Sequence, residues 1–264
     1  LLNNKKQLRD KMSWSFFVCR GELALDEKFL NSRIENYWNE RSENFGKVRR
    51  RELNGADFAA WQKILVEHLP QEKNLKILDV GTGAGFFAIL LSKLGHIVTG
   101  IDSSAKMIEQ AKKLSADFDC NINFQKMDAQ VLKFAEESFD VVISRNLTWI
   151  LPDAMEAYRE WCRVLKIGGR LLNFDSDCGK INFEKKSDTN DVHAGIDDKL
   201  LAECNDIKNS LRITTHTRPA WDVALLQKLN FAVDFDADIS SKVHQDKNCV
   251  YDNVALFGIY AVKQ

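Results

Sequence analysis

Leu78-Asp-Val-Gly-Thr-Gly-Ala-Gly-Phe86 is the stretch on which the fold turns. Lys76 to Val80 is a short apolar run, and glycines follow it at once. Phe86 to Leu94 then carries apolar residues at helical spacing and stops at Gly95. A strand, a glycine loop and a helix in that order let a ligand approach the backbone closely at the helix N-terminus. The next strand, Ile97 to Ile101, is followed by Asp102, an acid placed to accept from ribose hydroxyls.

A dinucleotide site is the main rival. Its G-x-G-x-x-G spacing, counted from Gly81, requires glycine at position 86, where this chain has Phe86. Asp79 would also set a negative charge beside a pyrophosphate, whereas an ammonium group would be attracted to it. The bland alternative is a loop kept tight only for packing the helix on the strand.

Outward from this loop the alternation continues. A helix is predicted over Ser104–Ala116, strands over Ile122–Met127 and Phe139–Ile143, and a helix over Asp153–Leu165 ended by Gly168-Gly169. Strand Arg170–Phe174 is followed by a polar insertion, 176–218, with one helix over Asp197–Leu211. A helix over Ala220–Leu229 and strands over Phe231–Phe235 and Val254–Val262 close the chain. Ahead of the loop the sequence predicts helices around Trp14–Val18, around Ile34–Arg41 and over Asp57–Leu69. These elements predict an α/β protein with a doubly wound sheet, a helical cap segment over 1–70, and a main domain over 71–264.

Lys76 to Phe174 resembles the core of the class I S-adenosylmethionine-dependent methyltransferases. Leu78–Phe86 is similar to that family's first motif and Ile101-Asp102-Ser103 to its second. Met127-Asp128-Ala129 resembles the segment that reads adenine, Phe139–Asn146 the fourth-strand motif, and Arg163–Leu171 the fifth. The resemblance implies a Rossmann-like seven-stranded sheet in the order 3-2-1-4-5-7-6, with strand 7 antiparallel. It implies S-adenosylmethionine as cofactor and S-adenosylhomocysteine as product. By the same resemblance Asp79, Gly81, Thr82 and Gly83 meet the methionine part, and Asp102 holds the ribose. Ser103, Met107, Asp128 and Ala129 surround the adenine, and Arg145 and Asn146 approach the methionine after the fourth strand. Tyr37, in a Tyr-Trp-x-x-Arg group with Trp38 and Arg41, closes over the cofactor, where an aromatic face suits a sulfonium.

Each role has a plainer counterpart. Asp128 is also a good helix N-cap, Tyr37 and Trp38 an ordinary packing stripe, and Trp149 a residue that packs the next helix. Trp149, Asp175 and Trp221 are the candidates for the substrate pocket, and His216 is the candidate general base. The function implied is transfer of a methyl group to a small molecule. The alternatives are a cofactor-binding but catalytically silent subunit and an oxidoreductase.

Composition narrows the partners. The 264 residues are 45% hydrophobic and 28% charged, with net charge -1, so the basic footprint of a non-specific nucleic-acid binder is absent. The Asn-Pro-Pro-Tyr pattern of amino-group DNA methyltransferases is replaced by Arg145-Asn-Leu-Thr-Trp149. Six scattered cysteines form no C-x-x-C pair, which argues against a thiolate metal site and, with no leader pattern, predicts a reducing cytoplasm. No run is apolar enough to span a membrane. Monomer and homodimer are both compatible with the sequence.

Overall fold

Lys76-Ile-Leu-Asp-Val80 forms β1, buried at every position after Lys76 as a central parallel strand must be. In the computed structural model, which describes residues 2–185, 192–193, 195–247 and 249–264, with side chains from residue 27 onward, β1 lies in the middle of seven strands. The others are β2 (Ile97–Asp102), β3 (Asn123–Lys126), β4 (Phe139–Arg145), β5 (Leu165–Ser176), β6 (Phe231–Asp236) and β7 (Leu256–Lys263). Their order is β3-β2-β1-β4-β5-β7-β6, the order the resemblance implied. The first five are parallel, and β7 runs antiparallel to both β5 and β6.

Side chains alternate across the sheet, so each strand feeds two cores. Leu78, Val80 and Val142 face the layer that holds Tyr158, Trp161 and Val164 of α5 (Ala154–Val164). Ile77, Val141 and Ile143 face α2 (Ala56–His68) and α3 (Phe86–Lys93), whose residues Phe86 to Leu91 are all buried. α4 (Ala105–Asp117) packs on the same side. Gly85 stands immediately before α3 at φ +88, and a Cβ there would lie 3.2 Å from Ala111. Glycine is therefore required both for the turn and for the helix-to-helix approach.

Two sequence expectations are corrected. The chain before β1 is not three helices: α1 is continuous over Leu2–Asn54, and only Gly55 separates it from α2. The side chains of Trp14–Val18 lie outside the described residues. Gly168-Gly169 do not end α5. The helix stops at Val164, Leu165 already pairs with Phe139, and the two glycines lie inside β5, where Gly168 adopts φ +72. The sheet's demand for pairing overrides the local stop signal.

Between β5 and β6 lie α6 (Asp198–Ser210), α7 (Ala220–Lys228) and one-turn helices at Cys178–Lys180 and Arg212–Thr215. A short α8 (Ser240–Val243), which the sequence did not reveal, precedes β7. Among the described residues no helix is long and apolar enough to cross a membrane.

Candidate functional site

The loops at the carboxyl ends of the parallel strands are where an open α/β sheet binds ligands. α1 crosses those ends in sheet order. Glu35 pairs with Lys126 at the end of β3. Asn39 Oδ1 accepts from Ser104 Oγ at 2.8 Å beyond β2. The Phe45 ring stands 3.2 Å from where a Cβ on Gly83 would be, beyond β1. Glu52 accepts from Arg145 Nη2 at 2.9 Å at the end of β4.

Between α1 and the strand ends lies a cavity of about 610 Å³. Tyr37, Asp79, Gly81, Thr82, Gly83, Asp102, Ser103, Met107, Asp128, Ala129, Arg145 and Asn146 all line it. These are the residues expected at the cofactor, brought together from α1 and four strand ends.

Hydrogen bonds fix the loop before any ligand is considered. Asp79 Oδ2 accepts from Thr82 Oγ1 at 2.6 Å and from the Ala88 amide at 3.1 Å. Asp102 accepts from the Gly83 amide at 2.9 Å and the Ser104 amide at 2.8 Å, which ties the β1 loop to the end of β2. Burial pushes both carboxyls up to about 6, against the pull of these hydrogen bonds. Gly81 has φ +66, and a Cβ on it would meet Leu147 at 2.8 Å. Asp128 caps no helix, since none follows it. Its Oδ1 accepts from the amide and side chain of Gln130 in a tight turn. Asn146 is held at φ +55, with its amide bonded to the Phe174 carbonyl and its carbonyl accepting from Trp149 Nε1 at 3.0 Å. Strain of that kind at a ligand-facing loop is a recurrent mark of a working site.

The cavity continues past β1 to the end of β4. There the Arg145 guanidinium lies 4.5 Å from the Phe86 ring centroid and 5.2 Å from those of Trp61 and Phe87. Glu52 is 2% exposed and also accepts from Arg49 Nη1 at 2.6 Å. Burial would raise the Glu52 carboxyl, but Arg145 and Arg49 together hold it down at about 2. Tyr251, stacked on His244, donates to Asp57 and holds its hydroxyl 3.1 Å from Glu52 Oε1.

The substrate-pocket and base candidates separate. Trp149 lines the cavity and also packs edge-on against Phe183 at 5.3 Å. Asp175, Trp221 and His216 are not among the lining residues. Asp175 is wholly buried behind the wall, accepting from Thr148 and from the Trp149 amide and pairing with Arg218 at 3.3 Å. Arg218 in turn pairs with Asp222, which accepts from Tyr158 at 2.8 Å. His216 stacks on Trp221 at 4.6 Å.

The histidine of the insertion that does face the cavity is His193. Its Nε2 lies 3.1 Å from Asp252, and its Nδ1 lies 3.3 Å from Arg41 Nη1. Arg41, Arg49, Glu52, Trp61, His244 and Tyr251 are among the lining residues that sequence reasoning left without a role at the substrate end. The Tyr37–Arg41 spacing hinted at one of them. The rest carry no local signal.

A sheet in this order with a reversed β7, an acid at the end of β2 and a glycine loop under α3 defines the class I methyltransferase fold, whose cofactor is S-adenosylmethionine. Residues 78–173, from within β1 to within β5, match the family described as "Methyltransferase domain". A ubiquinone biosynthesis O-methyltransferase of Coxiella burnetii is 32% identical over 112 residues, covering 41% of this chain and 48% of its own. A demethylmenaquinone methyltransferase of Staphylococcus aureus is 37% identical over 115 residues, covering 42% of this chain and 47% of its own. The chain thus spans about half the length of these curated relatives. An S-adenosylmethionine-dependent methyltransferase structure from Aquifex aeolicus superposes with a TM-score of 0.54 over 83% of this chain and 98% of its own, at 17% identity, a likeness of fold.

Proposed function

We propose that this chain transfers the methyl group of S-adenosylmethionine to a small-molecule acceptor held in the same cavity, with residues 1–70 acting as the cap. The observation that carries the reading is the single cavity that joins the Gly81–Gly83 loop, Asp102 and Asp128 to a further lobe over β4. The likeness to quinone methyltransferases over the first five strands supports a small acceptor.

The residues present fit such a cofactor. Asp102 stands at the strand end next to the loop, where it accepts from ribose hydroxyls. The turn at Asp128 presents a carboxylate to an adenine amine, with Met107 and Ala129 buried on either side. Asp79 offers its charge to an ammonium. The backbone of Arg145 and Asn146 borders the methionine end. The cofactor supplies a methyl group activated by a sulfonium and departs as the neutral thioether.

What this chain contributes is alignment and dryness. The sulfur–methyl bond breaks as the acceptor–methyl bond forms, and the acceptor's proton leaves to solvent or to a side chain. Holding the acceptor in line supplies roughly 7–11 kcal/mol of barrier lowering. Tyr37, Trp38 and Phe45 of α1 exclude water from above. His193, held between Asp252 and Arg41, is the histidine of the insertion that borders the acceptor's side of the cavity.

Calorimetry with S-adenosylmethionine and with NADH is the direct test, and the sulfonium cofactor alone should bind. Absence of its binding would sink the reading. Incubation with methyl-labelled cofactor and a metabolite extract should then move label into a small molecule. Tight binding without transfer across a broad acceptor panel would instead favour a silent subunit.

A further inference from the structure

Two arginines meet a single carboxylate oxygen in the cavity wall at the end of β4. Arg49 and Arg145 both donate to the same oxygen of Glu52, Oε2, at 2.6 Å and 2.9 Å. Their side chains are only 9% and 8% exposed. Two guanidinium cations therefore share one carboxylate oxygen. Each spends a single N–H on Glu52, and among the described residues no other protein acceptor takes the rest. Both residues line the cavity.

The nearby carboxylates accept from other donors: Asp79, whose charge acts on Arg145, accepts from Thr82 Oγ1 and the Ala88 amide. His244 is kept neutral chiefly by burial, with Arg145 adding to the effect. Asp57 is buried and does not line the cavity, and the Gln245 amide, the Asp246 amide and the Tyr251 hydroxyl already donate to it. Burial lowers the proton affinity of Arg49, and the nearby Arg145 lowers it further, against the pull of Glu52.

The two guanidinium groups are also held rigid. Arg145 sits among Phe86, Phe87 and Trp61, and Arg49 lies 4.2 Å over the Phe45 ring. Preorganised planar donors match a planar monoanion, and the dry surroundings strengthen the contact. Position selects the ligand. α1 passes β3, β2 and β1 before Arg49, so a cofactor laid over Asp128, Asp102 and Gly81–Gly83 ends short of this lobe.

We propose that Arg49 and Arg145 form the anchoring subsite for a carboxylate group of the methyl acceptor, with Glu52 as the fixed counter-ion that holds the two cations parallel. The placement rests on the function proposed above. The unspent N–H groups of the pair do not.

The test is calorimetry of acetate, butyrate and benzoate against their amides, with and without saturating S-adenosylhomocysteine. At least one carboxylate should bind ten times or more tighter than its amide. Arg49→Gln should abolish that preference, Arg49→Lys should restore part of it, and affinity for S-adenosylhomocysteine should stay within twofold. Equal binding of acids and amides, or no binding of either, overturns the proposal, and this wild-type comparison stands whether or not a variant folds. A loss of S-adenosylhomocysteine affinity in Arg49→Gln as large as that caused by removing the ligand's own carboxylate also overturns it, by assigning the pair to the cofactor. Should S-adenosylhomocysteine fail to bind while the acid preference persists, the cofactor reading falls and the carboxylate subsite remains.

Discussion

Asp102 holds two backbone amides in place as well as facing the cavity, so its loss has two separable effects. Asp102→Ala should weaken binding of S-adenosylhomocysteine by about 1–3 kcal/mol, since ribose hydroxyls and the Gly83 amide lose their acceptor. Calorimetry checks this, and unchanged affinity would show that the acid at the end of β2 plays no part. Gly81→Ala tests the loop itself. Left-handed geometry costs a residue with a Cβ about 1–2 kcal/mol, and the clash with Leu147 adds to it. A lower midpoint in chemical unfolding is the expected outcome. The carboxyls also set a pH dependence. Asp79 and Asp102 titrate near 6 in the folded chain, above their ordinary value, so the folded state holds protons that the unfolded chain releases. Their ionisation therefore costs stability as pH rises toward 6, while an ammonium and ribose hydroxyls bind the ionised forms. Affinity for S-adenosylhomocysteine should climb between pH 5 and about 6 and level off above, read from titrations at each pH. A flat profile would mean that neither carboxylate contacts the ligand.

At the scale of elements, the strands were legible and their partners were not. β1 through β5 announce themselves because a parallel strand buried on both faces is a dense apolar run, and the glycine loop and Asp102 follow at fixed local offsets. Facing is harder to read. Asp175 ends β5 as a ligand-facing residue would, but its side chain turns into the layer where Arg218 and Asp222 wait, and Ser176 beside it lines the cavity. Trp221 and His216 went astray with it, since their stacking belongs to the same buried support. That support carries a prediction. Arg218→Met would strand Asp175 and Asp222 without their cation and should cost about 3–5 kcal/mol. Urea denaturation checks the magnitude. A change under 1 kcal/mol would mean the carboxylates become neutral at little cost.

Across the whole molecule, what the sequence hid is what lies far apart along it. Glu52 meets Arg145 across 93 positions and Tyr251 across 199. His193 finds Asp252 across 59. No periodicity or motif spacing encodes such meetings, which is why the cofactor half of the cavity was readable and the β4 lobe was not. The same long reach makes α1 and the segment ahead of β7 responsive to ligand. Hydrogen exchange should slow over Glu35–Glu52 and over 249–254 when S-adenosylhomocysteine is added, and equal exchange with and without it would deny α1 any part in holding the cofactor.

One helix laid across four strand ends also has a kinetic meaning. A single roof covers both ligands, and the β4 lobe adjoins the methionine end, so the two places cannot exchange their contents independently. The nucleoside should enter first and its spent form leave last, an ordered turnover in which lifting the roof limits the rate. S-adenosylhomocysteine is then expected to inhibit competitively against the methyl donor and non-competitively against the acceptor.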